Sequence, residues 1–269
     1  MGVSCGTTSV IRPATDLPYR ESWNMYRDAR HVQIVPSGGP ISARKTPLNR
    51  GFRRVLYRML LGVDETITTY DRLAARYAAR TTYPLERELT CFRRMIPTSG
   101  LVLDVGCGAG QYARALEARG LRVVGLDLSL GLLRQAQAAG TDRLVCADMR
   151  CLPFADDCSD GCFVCASLLH LPRTQAPKAL SEFRRVLGTG GALYIGVKEG
   201  EGEEWVADQE GYERFFAYYR LEEIDWLIQA AGFEVVDGWI SPPGAGQRHN
   251  WLNRFAVVRA CGGAHPSGL

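Results

Sequence analysis

Three carboxylates stand where apolar runs end. Asp104 follows Leu101-Val102-Leu103, Asp127 follows Leu121-Arg122-Val123-Val124-Gly125-Leu126, and Asp148 follows Arg143-Leu144-Val145-Cys146-Ala147. Short apolar runs of this kind read as buried strands, and an acid at a strand's tip lies where open α/β sheets bind ligands. Asp104 also opens Asp104-Val105-Gly106-Cys107-Gly108-Ala109-Gly110, with glycine at every second position. Glycine lets backbone approach a ligand closely. The helical spacing of Gln111-Tyr112-Ala113-Arg114-Ala115-Leu116 then places a helix N-terminus and its N–H donors directly behind the turn. Together these make a nucleotide-sized cradle. Asp127, 23 residues beyond Asp104, can accept both hydroxyls of a ribose, and Asp148 can take the amino hydrogens of an adenine. Gln111 stands where the dinucleotide fingerprint has Gly or Ala, and the acid precedes the glycines. That spacing suits a cofactor with a cationic amino-acid tail and no pyrophosphate.

The elements that position these acids follow from the alternation of apolar runs and helical patterns over residues 101–200, which predicts a parallel sheet with helices on both faces. Gly161-Cys162-Phe163-Val164-Cys165-Ala166 and Gly191-Ala192-Leu193-Tyr194-Ile195-Gly196-Val197 continue it, separated by a helix at about 174–187. A helix from Leu221 stops at Ala231-Gly232-Phe233. Glu234-Val235-Val236 and Asn253-Arg254-Phe255-Ala256-Val257-Val258 then lie too close for a crossover helix and are expected to pair antiparallel. A helix is expected from Thr68, another from Pro84, a residue suited to a first turn, through Met95.

On these residues the chain resembles the class I S-adenosylmethionine-dependent methyltransferases, in the small-molecule branch of type 11 and type 25 domains. Asp104, Gly106, Gly108 and Gly110 match the family's first motif, Asp127 its second and Asp148 its third, and the resemblance covers about residues 64–260. It implies an α/β, Rossmann-like three-layer sandwich whose seven-stranded sheet is mostly parallel with the last strand antiparallel. It implies S-adenosyl-L-methionine as cofactor, with Leu128, Met149 and Ser167 joining the motif residues around it. The pattern Tyr70-Asp71-x-x-Ala74-x-x-Tyr77 resembles the family's lead-in helix, whose aromatic residue, here Tyr77, closes over the cofactor. A lid at about 199–220 is expected to cap the acceptor.

His170 is the candidate catalytic residue. It follows Ala166-Ser167-Leu168-Leu169 at the sheet's carboxyl edge, and an imidazole of pKa near ~6.5 can remove a proton from a hydroxyl, thiol or carbon acid. The other role open to it is a histidine held by hydrogen bonds at a loop start. The chain lacks the Asn/Asp-Pro-Pro-aromatic run of enzymes that methylate flipped bases. Residues 199–219 hold seven acids and six aromatics. An acidic lid repels phosphates, so the expected partner is a small organic acceptor, apolar or aromatic, and not a nucleic acid. Arg248, His249, Asn250 and Trp251 either face the same pocket or are loop residues. The alternatives are a nicotinamide oxidoreductase, against which Gln111, Asp148 and the antiparallel ending count, and a non-catalytic module that keeps the cradle.

Composition bounds the rest. The 269 residues can bury one good-sized core with an appended segment, and a net charge of +3 points to no particular partner. Only Lys45, Lys178 and Lys198 are lysines. No apolar run reaches the ~18 residues that span a bilayer, and no basic-then-apolar leader opens the sequence, so a cytoplasmic protein is expected. Nine cysteines raise a metal or disulfide question. Cys162 and Cys165, three apart on one strand, point to opposite faces and chelate poorly, so buried thiols and no metal are expected. Residues 1–63 carry ten basic side chains against three acids, a net +7 that leaves the remainder at −4. They are expected to form a partly loose basic arm with an amphipathic helix near 50–61, followed by a catalytic domain over 64–262.

Overall fold

A computed structural model describes residues 33–34, 64–80, 84–208, 210–244 and 246–259. The expected helix near 50–61 lies outside the described residues. In chain order the elements are β1 (Gln33–Ile34), α1 (Asp64–Arg80), α2 (Glu86–Met95), β2 (Leu101–Val105), α3 (Gln111–Glu117), β3 (Arg122–Asp127), α4 (Leu130–Ala138) and β4 (Leu144–Cys146). Then come β5 (Ser159–Cys165), α5 (Ala176–Val186), β6 (Leu187–Lys198), β7 (Glu203–Ala207), β8 (Glu213–Ala217), α6 (Leu221–Ala230), β9 (Phe233–Ser241) and β10 (Trp251–Val258). Two 3-10 turns, Leu168–His170 and Arg173–Gln175, link β5 to α5.

The main sheet runs β1-β4-β3-β2-β5-β6-β10-β9. The expected seven strands are all present, parallel except β10, which is antiparallel to both β6 and β9. The addition is β1, a two-residue edge pairing of Gln33 and Ile34 with Val145 and Cys146. Strand alternation sorts the core into layers. Leu193, Ile195 and Val197 of β6 face the cluster formed with α5 and α6, while Ala192 and Tyr194 face the cluster with α2 and α3. Cys162 and Cys165 divide the same way, Cys162 into the first cluster and Cys165 against the second. Their sulfurs sit on opposite faces of the sheet, as a strand's period of two requires.

Local signals fix the helices that frame the site. Ser129 caps α4 by accepting from the Leu132 N–H at 3.1 Å. Asp71 of α1 accepts from the Ser129 hydroxyl at 2.6 Å and from the Gly131 N–H at 2.8 Å, which binds α1 to the start of α4. Within the expected lid, β7 and β8 pair as an antiparallel hairpin. Two buried threonines of α1 hold it: the Thr69 hydroxyl donates to the Glu213 carbonyl at 2.8 Å, and Thr66 accepts from the Phe215 N–H at 2.9 Å. Arg76 adds ion pairs to Asp208, at 2.7 Å, and to Glu210. The hairpin, at the position expected for a lid, is thereby clamped onto α1. Among the described residues no helix is long and apolar enough to cross a membrane.

Candidate active site

β2, fully buried along all five residues, ends at Asp104-Val105, and the chain turns through three glycines into α3. Gly106, at φ 76°, could carry no Cβ without overlapping Ser167. Gly108, at φ 54°, is different: a Cβ there would meet only the Tyr77 ring at 3.7 Å, projecting into open space. The glycine turn therefore leaves a hollow that a side chain would fill, with Tyr77 of α1 opposite.

Asp127 closes one side of the hollow. Its Oδ2 accepts from the Gly108 N–H at 2.9 Å and its Oδ1 from the Ser129 N–H at 2.8 Å. Each oxygen keeps lone pairs for a vicinal diol. Burial pushes its carboxyl up to about 6, against the pull of the Ser129 and Gly108 N–H groups. Asp104 lies beneath, 1% exposed, with Oδ2 lacking any hydrogen-bond partner. Burial, then the charge of Asp127, pushes Asp104 up to about 7. An unpartnered buried acid under a glycine turn fits an ammonium group arriving from above.

One cavity of about 870 Å³ joins these parts. Tyr77, Gly106, Gly108, Asp127, Leu128, Asp148, Met149, Ser167 and His170, all singled out in the sequence, line it. Asp104 and Gly110 do not. Gly110, left-handed at φ 74°, starts α3, where a Cβ would overlap Thr141. Two lining residues are engaged differently from expectation. The Ser167 hydroxyl donates inward to the Val105 carbonyl at 2.6 Å. Asp148 is clasped by Arg150: Nη2 reaches Oδ2 at 2.7 Å, and Nε lies 3.1 Å from each oxygen. The Arg150 N–H adds a bond to Oδ1 at 2.8 Å. An adenine amino group would have to share this carboxylate with a guanidinium.

His170 is engaged on both ring nitrogens. Its Nδ1 lies 2.7 Å from the Phe215 carbonyl, which only accepts, so the proton sits on Nδ1. Nε2, 2.8 Å from the Tyr70 hydroxyl, is then the acceptor. Burial, followed by the charges of Arg214 and Lys198, lowers its pKa to about 4 despite the bond to Phe215. The imidazole is thus neutral near pH 7, with a hydrogen bond on each nitrogen. Tyr70, by contrast, is a lining residue that sequence spacing placed on the lead-in helix without a role.

At the lid end the cavity is walled by Phe216, Tyr218, Trp251 and His249, with Lys198 and Arg214 among them. His249 stacks on Tyr218, ring centroids 4.2 Å apart. Arg248, His249 and Trp251 do face the pocket. The Asn250 amide instead donates to Glu199 at 2.7 Å. Neither Lys198 nor Arg214 carried a motif signal. Only their places, at the end of β6 and within the lid, could have suggested them.

A parallel sheet with an antiparallel last strand, a glycine turn over a buried acid and a second acid at the next strand tip make a nucleotide-type cradle on a Rossmann-like architecture. A methyltransferase domain family model matches residues 103–195. A protein of Encephalitozoon cuniculi bearing a methyltransferase name is 32% identical over 155 residues, 51% of this chain and 71% of that one. The malonyl-[acyl-carrier protein] O-methyltransferase of Pectobacterium atrosepticum is 38% identical over 161 residues, 59% of this chain and 58% of its own length. Among solved structures, the 1,6-didemethyltoxoflavin-N1-methyltransferase of Burkholderia thailandensis, bound to 1,6-didemethyltoxoflavin and S-adenosylhomocysteine, superposes with a TM-score of 0.57 at 21% identity. That match covers 84% of this chain and 94% of the other. The chain belongs to the class I S-adenosylmethionine-dependent methyltransferases, and S-adenosylmethionine is its cofactor. This sets aside the nicotinamide oxidoreductase and the non-catalytic module.

The two raised carboxyls give the site a pH signature. Above pH 6 Asp127 is ionised and able to accept hydroxyl groups, and toward pH 7 Asp104 ionises and would attract a cation. Below these values both are neutral and the attraction is lost. Affinity for S-adenosylhomocysteine is therefore expected to rise between about pH 5 and pH 7.5, by up to about tenfold per pH unit for each proton released. Calorimetry that finds constant affinity over this range contradicts the assignment of these two acids.

Proposed function

We propose that this protein moves the methyl group of S-adenosylmethionine onto a small organic acceptor of apolar or aromatic character, seated under the β7–β8 lid. The observation that carries this reading is the single cavity running from Asp127 and the glycine turn to the aromatic wall of Phe216, Tyr218 and Trp251. Bound, the cofactor supplies a methyl group already activated on a sulfonium, for displacement in line. The protein's own contribution is then mainly positioning, which can lower a barrier by several kcal/mol.

In this reading Gly106, Gly108 and Asp104 hold the amino-acid end, Asp127 the ribose, and Leu128 and Met149 the faces of the adenine. Tyr77 closes over the cofactor, Ser167 fixes the end of β2 against the glycine turn, and Gly110 lets α3 start there. Asp148, with Arg150, shapes the adenine edge. His170 serves as a positioning residue for Tyr70 and the lid. Protonating an imidazole of pKa about 4 at pH 7 costs on the order of 4 kcal/mol. That cost favours an acceptor atom that attacks without first giving up a proton.

Incubating the protein with methyl-labelled cofactor and a panel of small metabolites tests the reading. Label in a small organic product supports it, and label that enters only RNA or protein contradicts it. Residues 64–262 are proposed as the catalytic unit, since among the described residues the cavity lining begins at Thr66. A chain starting at Arg50 is expected to bind S-adenosylhomocysteine within about threefold of the full chain, a difference below 1 kcal/mol. If it folds and fails to bind, the arm belongs to the site.

A further inference from the structure

Two cations share the lid end of the cavity with one carboxylate, Glu204, on its wall. Lys198 ends β6 with its ammonium 4.5 Å from the Phe216 ring centroid and 5.8 Å from that of Trp251. The Arg214 guanidinium, from β8, lies 5.5 Å from the same Phe216 centroid and 5.7 Å from that of Tyr70, whose hydroxyl it hydrogen-bonds. Its Nε is buried with no partner. Among the described residues neither side chain makes an ion pair. Aromatic faces attract cations, but they do not neutralise two of them, and unpaired charge removed from water is unfavourable.

The lid's own acids do not meet this need. Asp208 and Glu210 pair with Arg76, and Glu201 pairs with Arg220. Glu203 accepts from the Arg173 N–H, and Glu199 from the Asn250 amide. Glu204, on the cavity wall, accepts from the Tyr218 hydroxyl at 2.7 Å. Set against Lys198 and Arg214 it leaves one positive charge inside, with Arg248 at the exposed rim. Five of the seven acids of residues 199–219 thus bind partners around the lid, and Glu204 is the one that lines the cavity beside Lys198 and Arg214. An acid-rich segment need not present an acidic face to its ligand.

We infer that the acceptor is a small carboxylate whose charge lies between Lys198 and Arg214 and whose apolar body rests on Phe216, Tyr218 and Trp251. A monoanion matches the single uncompensated charge, and the planar guanidinium suits a carboxylate. This rests on the methyltransferase reading of the cavity and narrows its acceptor class. It also agrees with the neutral His170, because a carboxylate is ionised without help from a base.

The test uses the full chain saturated with S-adenosylhomocysteine and two pairs of probes that differ in charge but not in shape: benzoate with benzamide, and cinnamate with cinnamamide. Calorimetry is expected to show the acids binding at least about tenfold more tightly than the amides. Lys198→Met and Arg214→Met are each expected to remove most of that preference while S-adenosylhomocysteine affinity stays unchanged. Should either variant fail to bind S-adenosylhomocysteine, Lys198→Gln and Arg214→Gln supply the same contrast. Equal binding of acids and amides, a preference that survives the substitutions, or no acid binding up to about 10 mM overturns the inference alone. Failure of the unsubstituted protein to bind S-adenosylhomocysteine overturns the methyltransferase reading, and the inference with it.

Discussion

Asp127→Asn is expected to weaken S-adenosylhomocysteine binding by about 30- to 100-fold. The reason is that both carboxylate oxygens work twice. Each accepts a main-chain N–H, from Gly108 or Ser129, and each keeps capacity for a ribose hydroxyl. An amide must turn its NH₂ toward one of those N–H groups, which replaces attraction by repulsion. It also loses one charge-assisted bond to the ribose, worth about 1.5–3 kcal/mol. Asp127→Ala removes both acceptors and is expected to cost at least about tenfold while the sheet stays folded. Calorimetry with unchanged affinity for either variant would remove Asp127 from the ribose site.

His170→Ala is expected to lower kcat by about 10²-fold, with kcat/KM falling alongside, and His170→Gln to recover most of the loss. The glutamine amide can donate to the Phe215 carbonyl and its oxygen can accept from Tyr70, reproducing both bonds that the imidazole makes. It cannot act as a base. If His170 removes a proton from the acceptor, Ala and Gln variants are equally impaired and both deficits shrink at high pH. If it positions Tyr70 and the lid, Gln rescues and the deficit of Ala does not change with pH. The pKa of about 4 favours the second pattern. It also predicts that the pH–rate profile shows no limb from His170 near neutrality.

The cradle was legible because its determinants are local. Apolar runs, glycines at fixed spacing and acids at strand tips are neighbours in sequence, and backbone geometry alone brings them to one sheet edge. The antiparallel ending was legible too, because the two last apolar runs lie close in sequence, and the link between Ser241 and Trp251 is too short for a crossover helix. The protonation of His170 was not legible. It depends on Phe215 and Tyr70, which are 45 and 100 residues away, and on burial beneath a hairpin that only tertiary packing creates. The lid's electrostatics escaped for a related reason. Counting acids over residues 199–219 gives their sign but not their direction: Arg214 of β8 lines the cavity, while Asp208 and Glu210, between β7 and β8, pair with Arg76. Asp148 and Arg150 show the smallest version of this: two residues apart, their pairing cancels a charge that the sequence presents as free.

The central claim is that the glycine turn, Asp104 and Asp127 form a binding site for S-adenosylmethionine. Titrating the purified full chain at neutral pH with S-adenosylhomocysteine, and in parallel with NADH, tests it most directly. The account predicts saturable one-to-one binding of S-adenosylhomocysteine, severely weakened in Asp127→Asn, and no binding of NADH. Saturable binding of NADH with none of S-adenosylhomocysteine would contradict it.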